Sequence, residues 1–188
     1  MKIQKGEYGF LKKQKKQFIL KMILCVAGGL VMFGTGYLVN KGNPKNICSV
    51  LALLMALPLS KAFTELVVVF PFQDVEKSRY DKVAALCPKH AILFTGLVIT
   101  SEKRSMNLDF LVECDGNVIG LVGRKEADLP YVNEYLTKGI RNWGYNYQVR
   151  IMKEEKAFLN AVQSITPHEI TEQEQKNVLS YIKSLIVQ

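Results

Sequence analysis

The residues best able to do chemistry sit in one stretch, Asp109-Phe-Leu-Val-Glu-Cys-Asp115-Gly116-Asn-Val-Ile-Gly-Leu-Val122-Gly123-Arg124-Lys125. Carboxylates grouped this way can hold a divalent cation. Asp109 and Glu113 are the pair for that work, because strand alternation puts them on one face. Glu76 and Asp81 lie upstream as further acids that could swing in. Arg124 can stabilise negative charge but, with a pKa above about 12, cannot usefully exchange a proton at neutral pH. The favoured expectation is blander: Asp109, Glu113 and Asp115 are solvated charges on an exposed strand and turn.

Cys87, His90 and Cys114 offer a second set of ligands. They are three at irregular spacing where a closed zinc site takes four, and a buried cysteine commonly fills core space, so no metal is expected there. A Cys87–His90 nucleophile pair lacks a third group to orient it. Tyr131, Tyr135, Trp143, Tyr145 and Tyr147 form an aromatic cluster, expected to pack around a helix rather than to stack on bases. His168 falls in a capping turn and carries no expected chemistry. The chain has no phosphate loop, dinucleotide fingerprint, zinc-protease helix or serine elbow. The expectation is therefore no catalytic residue and no cofactor.

The elements that position these residues follow from pattern. A helix is expected from about Asp74 to Cys87, stopped by Pro88. Ala91–Thr100 is β-branched and aromatic without helical periodicity, which reads as a buried strand. The next strand alternates, with Met106, Leu108, Phe110, Val112 and Cys114 on one face and Asn107, Asp109, Leu111 and Glu113 on the other. Asp115-Gly116 predicts a hairpin, and Val118–Val122 a third strand. Asp128 caps a helix with Pro130 in its first turn, buried through Val132, Leu136, Ile140 and Trp143 and stopped at Gly144. A strand at Tyr147–Lys153 and a helix at Glu154–Ile165 follow. Thr166-Pro-His-Glu169 and Thr171-Glu-Gln-Glu174 both read as capping boxes before a last amphipathic helix. The class is α/β (α+β), in the order α-β-β-β-α-β-α-α.

The opening α-β-β-β-α-β of that order resembles the core of the PD-(D/E)XK, or restriction-endonuclease-like, superfamily, over roughly residues 74–153. The resemblance implies an Asp opening the second strand, filled by Asp109 before Phe-Leu-Val, and a following turn, filled by Asp115-Gly116. It further implies Glu or Gln, one residue, then Lys on the third strand, where this chain has Val122 and Arg124. Val122 cannot bind a cation. A nuclease of this kind would therefore use Asp109 and Glu113 as metal ligands, Arg124 as the charge stabiliser, and Mg or Mn.

The chain has 188 residues, 48% of them hydrophobic, which excludes global disorder and leaves room for one modest domain and something more. Its net charge of +8 lies wholly in residues 1–70, where every basic residue is a lysine. Residues 71–188 are neutral, which disfavours a nucleic-acid partner. The lysines flank two apolar runs. Ile19–Val39 would form about 32 Å of helix, enough to cross a bilayer core of about 30 Å. A polar turn, 40–46, reverses the chain into a second run, 47–69, which Pro58 should kink by freeing the carbonyl of Leu54.

Lys21 is expected to snorkel at one interface, and Lys61 and Glu65, about 21 and 27 Å along the second run, to pair near the other. Gly29, Ala52, Ala56 and Ser60 form small-residue stripes suited to packing the runs as a hairpin. Lysines before the first run place both termini in the cytoplasm. Unpaired cysteines fit that reducing compartment. The domains are then a basic N-terminus (1–18), a transmembrane hairpin (19–70) and a cytoplasmic α/β domain (71–188).

These features point to an integral protein of the lipid bilayer, a bacterial plasma membrane, whose soluble domain is a non-catalytic binding or scaffold module. Its partner would be another protein or a second copy. The alternatives are a membrane-tethered metal-dependent nuclease and an oligomeric pore or transporter subunit.

Overall fold

The structure is a computed structural model that describes residues 4–123, 128–144 and 146–187. The chain divides into two compact units, residues 12–71 and residues 1–11 with 72–188.

In the first unit, α1 (Phe10–Val39) runs unbroken through the first apolar stretch. It ends in a Schellman turn: Gly42 N–H donates to Tyr37 O at 2.9 Å and Lys41 N–H to Leu38 O, with Lys41 at φ 51°. Asn46 then caps α2 (Ile47–Leu54) by accepting from Ser49 N–H, while its Nδ2 donates back to Gly36 O at 3.1 Å. A side chain at Gly36 would collide with Cys48 and Asn46, so only glycine permits this approach. Helix α3 (Ala56–Val69) continues α2 after a break at Met55, one residue past the Leu54 carbonyl that Pro58 leaves without its donor. A Cβ on Gly29 would meet Ala52 O at 3.6 Å. Ser60 Oγ instead donates within its own helix, to Leu57 O.

The second unit is a four-stranded sheet between two helical layers. Strands β1 (Ile92–Thr100), β2 (Ser105–Cys114) and β3 (Asn117–Val122) form an antiparallel meander. Helix α5 (Leu129–Arg141) crosses over to β4 (Gln148–Met152), which pairs parallel to β3. Helix α7 (Glu172–Leu185) joins α5 on one face, where Val132, Leu136, Ile140, Val178 and Ile182 meet Leu97, Leu108 and Val118. Helices α4 (Lys77–Leu86) and α6 (Glu155–Gln163) cover the other, where Val83, Phe158 and Val162 meet Phe110, Val112 and Ile119. Residues 4–11 belong to this unit: Gly6 O accepts from Thr95 N–H at 2.7 Å, and Asp74 accepts from Leu11 N–H.

The element order is the one expected, and three local readings change. Strand β2 does not keep one face. Met106 and Leu108 point to the α5/α7 layer, whereas Phe110, Val112 and Cys114 point to α4/α6. The cause is a bulge: Leu108 pairs with Val122 and Phe110 with Leu121, leaving Asp109 as the extra residue against β3. Second, Thr166–Glu169 starts no helix. Its backbone is spent on the hairpin, since Thr166 O accepts from Asn117 Nδ2 at 2.9 Å and His168 N–H donates to Asp115 O at 3.0 Å. The capping box at Thr171 and Glu174 forms, and so does the Asp128 cap, which accepts from Tyr131 N–H. Third, α5 stops at Arg141, short of Gly144, where a side chain would strike Tyr147, and Trp143, expected on its buried side, lies beyond the helix end and is exposed.

Candidate functional site

The bulge decides where Asp109 points. A bulge places its two consecutive residues on the same side, so Asp109 joins Phe110 on the α4/α6 face. Arg79 of α4 meets it there, donating from Nη1 to Asp109 Oδ2 at 2.9 Å and from Nε to Glu155 Oε2 of α6 at 2.9 Å. The guanidinium also lies over the Phe110 ring, 5.6 Å from its centroid. Burial works against the Arg79 charge, but the hydrogen bonds and charges of Asp109 and Glu155 outweigh it and raise its pKa. Leu121, Val122, Gly123 and Lys153 complete a cleft of about 320 Å³ around these groups.

Glu113 is not in that cleft. It follows the bulge by four residues and projects to the opposite face of the sheet, so the expected Asp109–Glu113 pair does not exist. Nor is Glu113 solvated: it is fully buried. Tyr147 O–H donates to its Oε1 at 2.9 Å, and Gln175 Nε2 of α7 donates to its Oε2 at 3.2 Å. Burial pushes the Glu113 carboxyl up from the usual range, and these two donors pull it back only in part. The same contact and burial push the Tyr147 phenol strongly upward.

Val122 is buried core, as befits a residue that cannot ligate. Arg124 lies outside the described residues, as do Lys125 and Tyr145. Asp115 is half-exposed in the hairpin turn at φ 45°, and Gly116 follows at φ 75°. The carboxylate that shares Arg79 with Asp109 is Glu155 rather than Glu76 or Asp81. Sequence spacing carries a signal for both missed partners. Arg79 precedes buried Val83 by one helical turn, and Glu155 precedes buried Phe158 by three residues, so each shares the inward face of its helix.

The aromatic cluster divides. Tyr147 belongs to the core, whereas Tyr131 and Tyr135 stack 6.2 Å apart along α5 and half-exposed Trp143 stacks on Tyr181. Together with Lys103, Lys138 and Asn142, Tyr131, Tyr135 and Tyr181 line an open groove of about 340 Å³. Arg104 lies 4.8 Å above the Tyr131 ring. In the helical hairpin, Lys61 Nζ stands 3.9 Å from Glu65 Oε1, and Lys21 Nζ sits 5.5 Å from the Phe18 ring.

No family model, no curated protein and no solved structure matches the chain.

Proposed function

We propose that this chain is a two-pass membrane protein whose α/β unit serves as a tethered binding or scaffold module rather than as a nuclease. One observation carries the reading: Arg79 stands between Asp109 and Glu155, 2.9 Å from each, and occupies carboxylate oxygens that a cation in this cleft would need. An arginine there neutralises the carboxylates and, always protonated itself, cannot activate water. The groove beside Trp143 and Tyr181 offers the other half of the reading, an open aromatic surface with Glu102, Lys103 and Lys138 in its lining, for a protein partner.

Membrane insertion is supported by α1 and the α2–α3 pair, each long and apolar enough to cross a bilayer and only 6% buried over its most apolar window. Leu20, Leu24, Leu30, Leu38, Leu53, Leu57 and Phe63 all present exposed apolar surface, which lipid would cover. The hydrogen bonds of residues 4–11 to the α/β unit support a topology in which both lie on one side of the membrane and the chain crosses it twice. The lysines ahead of the first span make that side the cytoplasm.

The test is Mn²⁺ calorimetry on the full chain in detergent, beside an Asp109→Ala control, with cleavage assays on DNA and RNA. The expected result is no heat that depends on Asp109 and no cleavage. Asp109-dependent Mn²⁺ binding accompanied by cleavage would overturn the reading and revive the nuclease, with Glu155 and Lys153 as its remaining groups.

A further inference from the structure

We propose that His90, Cys114 and Asp115 form a binding site for a zinc-class divalent cation at the tip of the β2–β3 hairpin. The β1–β2 register assembles the site. Ile92 pairs with Glu113 and Leu93 with Val112, so continuing the ladder outward sets His90 across from Asp115. Cys87 ends α4 three residues before His90, in the order Cys87-Pro-Lys-His90, and a turn closed by Ala91 N–H to Pro88 O holds the connection.

The distances fit a ligand set. His90 Nε2 is 2.9 Å from Asp115 Oδ2 and 3.3 Å from Cys114 Sγ, and that sulfur is 3.7 Å from Asp115 Oδ2. Around a tetrahedral zinc with bonds of about 2.0–2.3 Å, neighbouring ligand atoms stand about 3.3–3.7 Å apart. The three atoms thus form one face of such a tetrahedron to within a few tenths of an ångström. The fourth corner falls to water.

A Cys–His–Asp catalytic triad is the obvious rival, and the ring atoms argue against it. A triad uses Nδ1 to take orientation from the carboxylate and Nε2 to take the proton from the nucleophile. Here both neighbours approach the same nitrogen, Nε2. Convergence of sulfur, imidazole and carboxylate on one point is what a cation requires. The ligand set also selects the cation. Thiolate and imidazole favour zinc and its borderline-soft neighbours over magnesium, calcium or manganese, so the site differs in chemistry and position from the Asp109 cleft. Bound there, the ion would staple the α4–β1 connection to the hairpin tip.

Cobalt titration of the full chain in detergent, followed by displacement with zinc, tests the proposal. The wild-type chain should take up Co²⁺ with the strong visible bands of a tetrahedral site and a thiolate-to-cobalt charge-transfer band. Zinc should bleach both and raise Tm. His90 is 62% exposed in its side chain, so His90→Ala should fold normally and lose at least about tenfold in affinity. Cys114→Ser should abolish the charge-transfer band, and Asp109→Ala should leave the spectrum intact. A wild-type chain without tetrahedral cobalt bands, or a His90→Ala chain that binds as tightly as wild type, would overturn the proposal.

Discussion

Gly96 on β1 stands directly across from Asp109 on β2, between the pairs Thr95–Phe110 and Leu97–Leu108, and both strands turn over there. Before Gly96, even-numbered Phe94 faces the α5/α7 core; after it, odd-numbered Leu97 and Ile99 do. Gly96 achieves this through φ +58°, and Asp109 through the bulge against β3. The paired irregularities let each strand supply both cores and aim Asp109 at Arg79.

Gly96→Ala should therefore destabilise the α/β unit by about 1 kcal/mol, the cost of a Cβ in left-handed backbone. Space is not the obstacle, since the nearest atom to that Cβ, Asp74 Oδ1, would be 3.4 Å away. Gly96→Asn, a residue that visits this region, should lose less. Thermal unfolding followed by near-ultraviolet circular dichroism ranks the two variants, and equal losses would show that crowding rather than φ is responsible.

Removing Arg79 leaves Asp109 and Glu155 without their shared cation in a mostly buried cleft. Arg79→Met should cost about 2 kcal/mol, and adding Asp109→Asn should recover part of the loss. A double-mutant cycle by denaturant unfolding gives the coupling. Strict additivity would mean that the fork holds nothing together.

Glu113 predicts a pH dependence whose sign follows from its raised pKa. A carboxyl with a higher pKa folded than unfolded binds more protons in the folded state. Its stabilising contribution is therefore greatest at low pH, and is lost as pH rises from the unfolded value of about 4.3 through the folded one. Glu113→Gln should flatten the Tm-versus-pH curve in that window. An unchanged slope would place the dependence on another group.

The helical hairpin brings Gly36 against Cys48. Gly36→Leu should force the two helices apart there, so that Cys48 reacts faster with a thiol reagent than in the wild-type chain. An unchanged reaction rate would mean that the spans do not approach at this point in the membrane.

Orientation is read by labelling. In a chain whose four native cysteines are replaced by serine, Asn43→Cys should react with an impermeant maleimide in intact cells. Ser164→Cys, on the exposed surface after α6, should react only after permeabilisation. The reverse pattern would invert the topology.

Much of this architecture is legible locally. Two apolar runs with flanking lysines need no partner to declare their length, because every backbone group in a helix is satisfied within it. The Asp115-Gly116 turn, the Asp128 cap and the Thr171–Glu174 capping box are likewise readable, since each places its hydrogen bonds within three residues. Tertiary structure decided the rest. Alternation along β2 assumes an uninterrupted period of two, and a single bulge reverses it, sending Asp109 and Glu113 to opposite sides of the sheet. The fate of each carboxylate then rests on donors far away in the chain: Arg79 for Asp109, Tyr147 and Gln175 for Glu113. The Thr166 capping box failed for the same reason, because the hairpin's demand for a carbonyl and an N–H outcompeted a helix start. His90, Cys114 and Asp115 meet only through strand register, a long-range property that residue spacing does not encode.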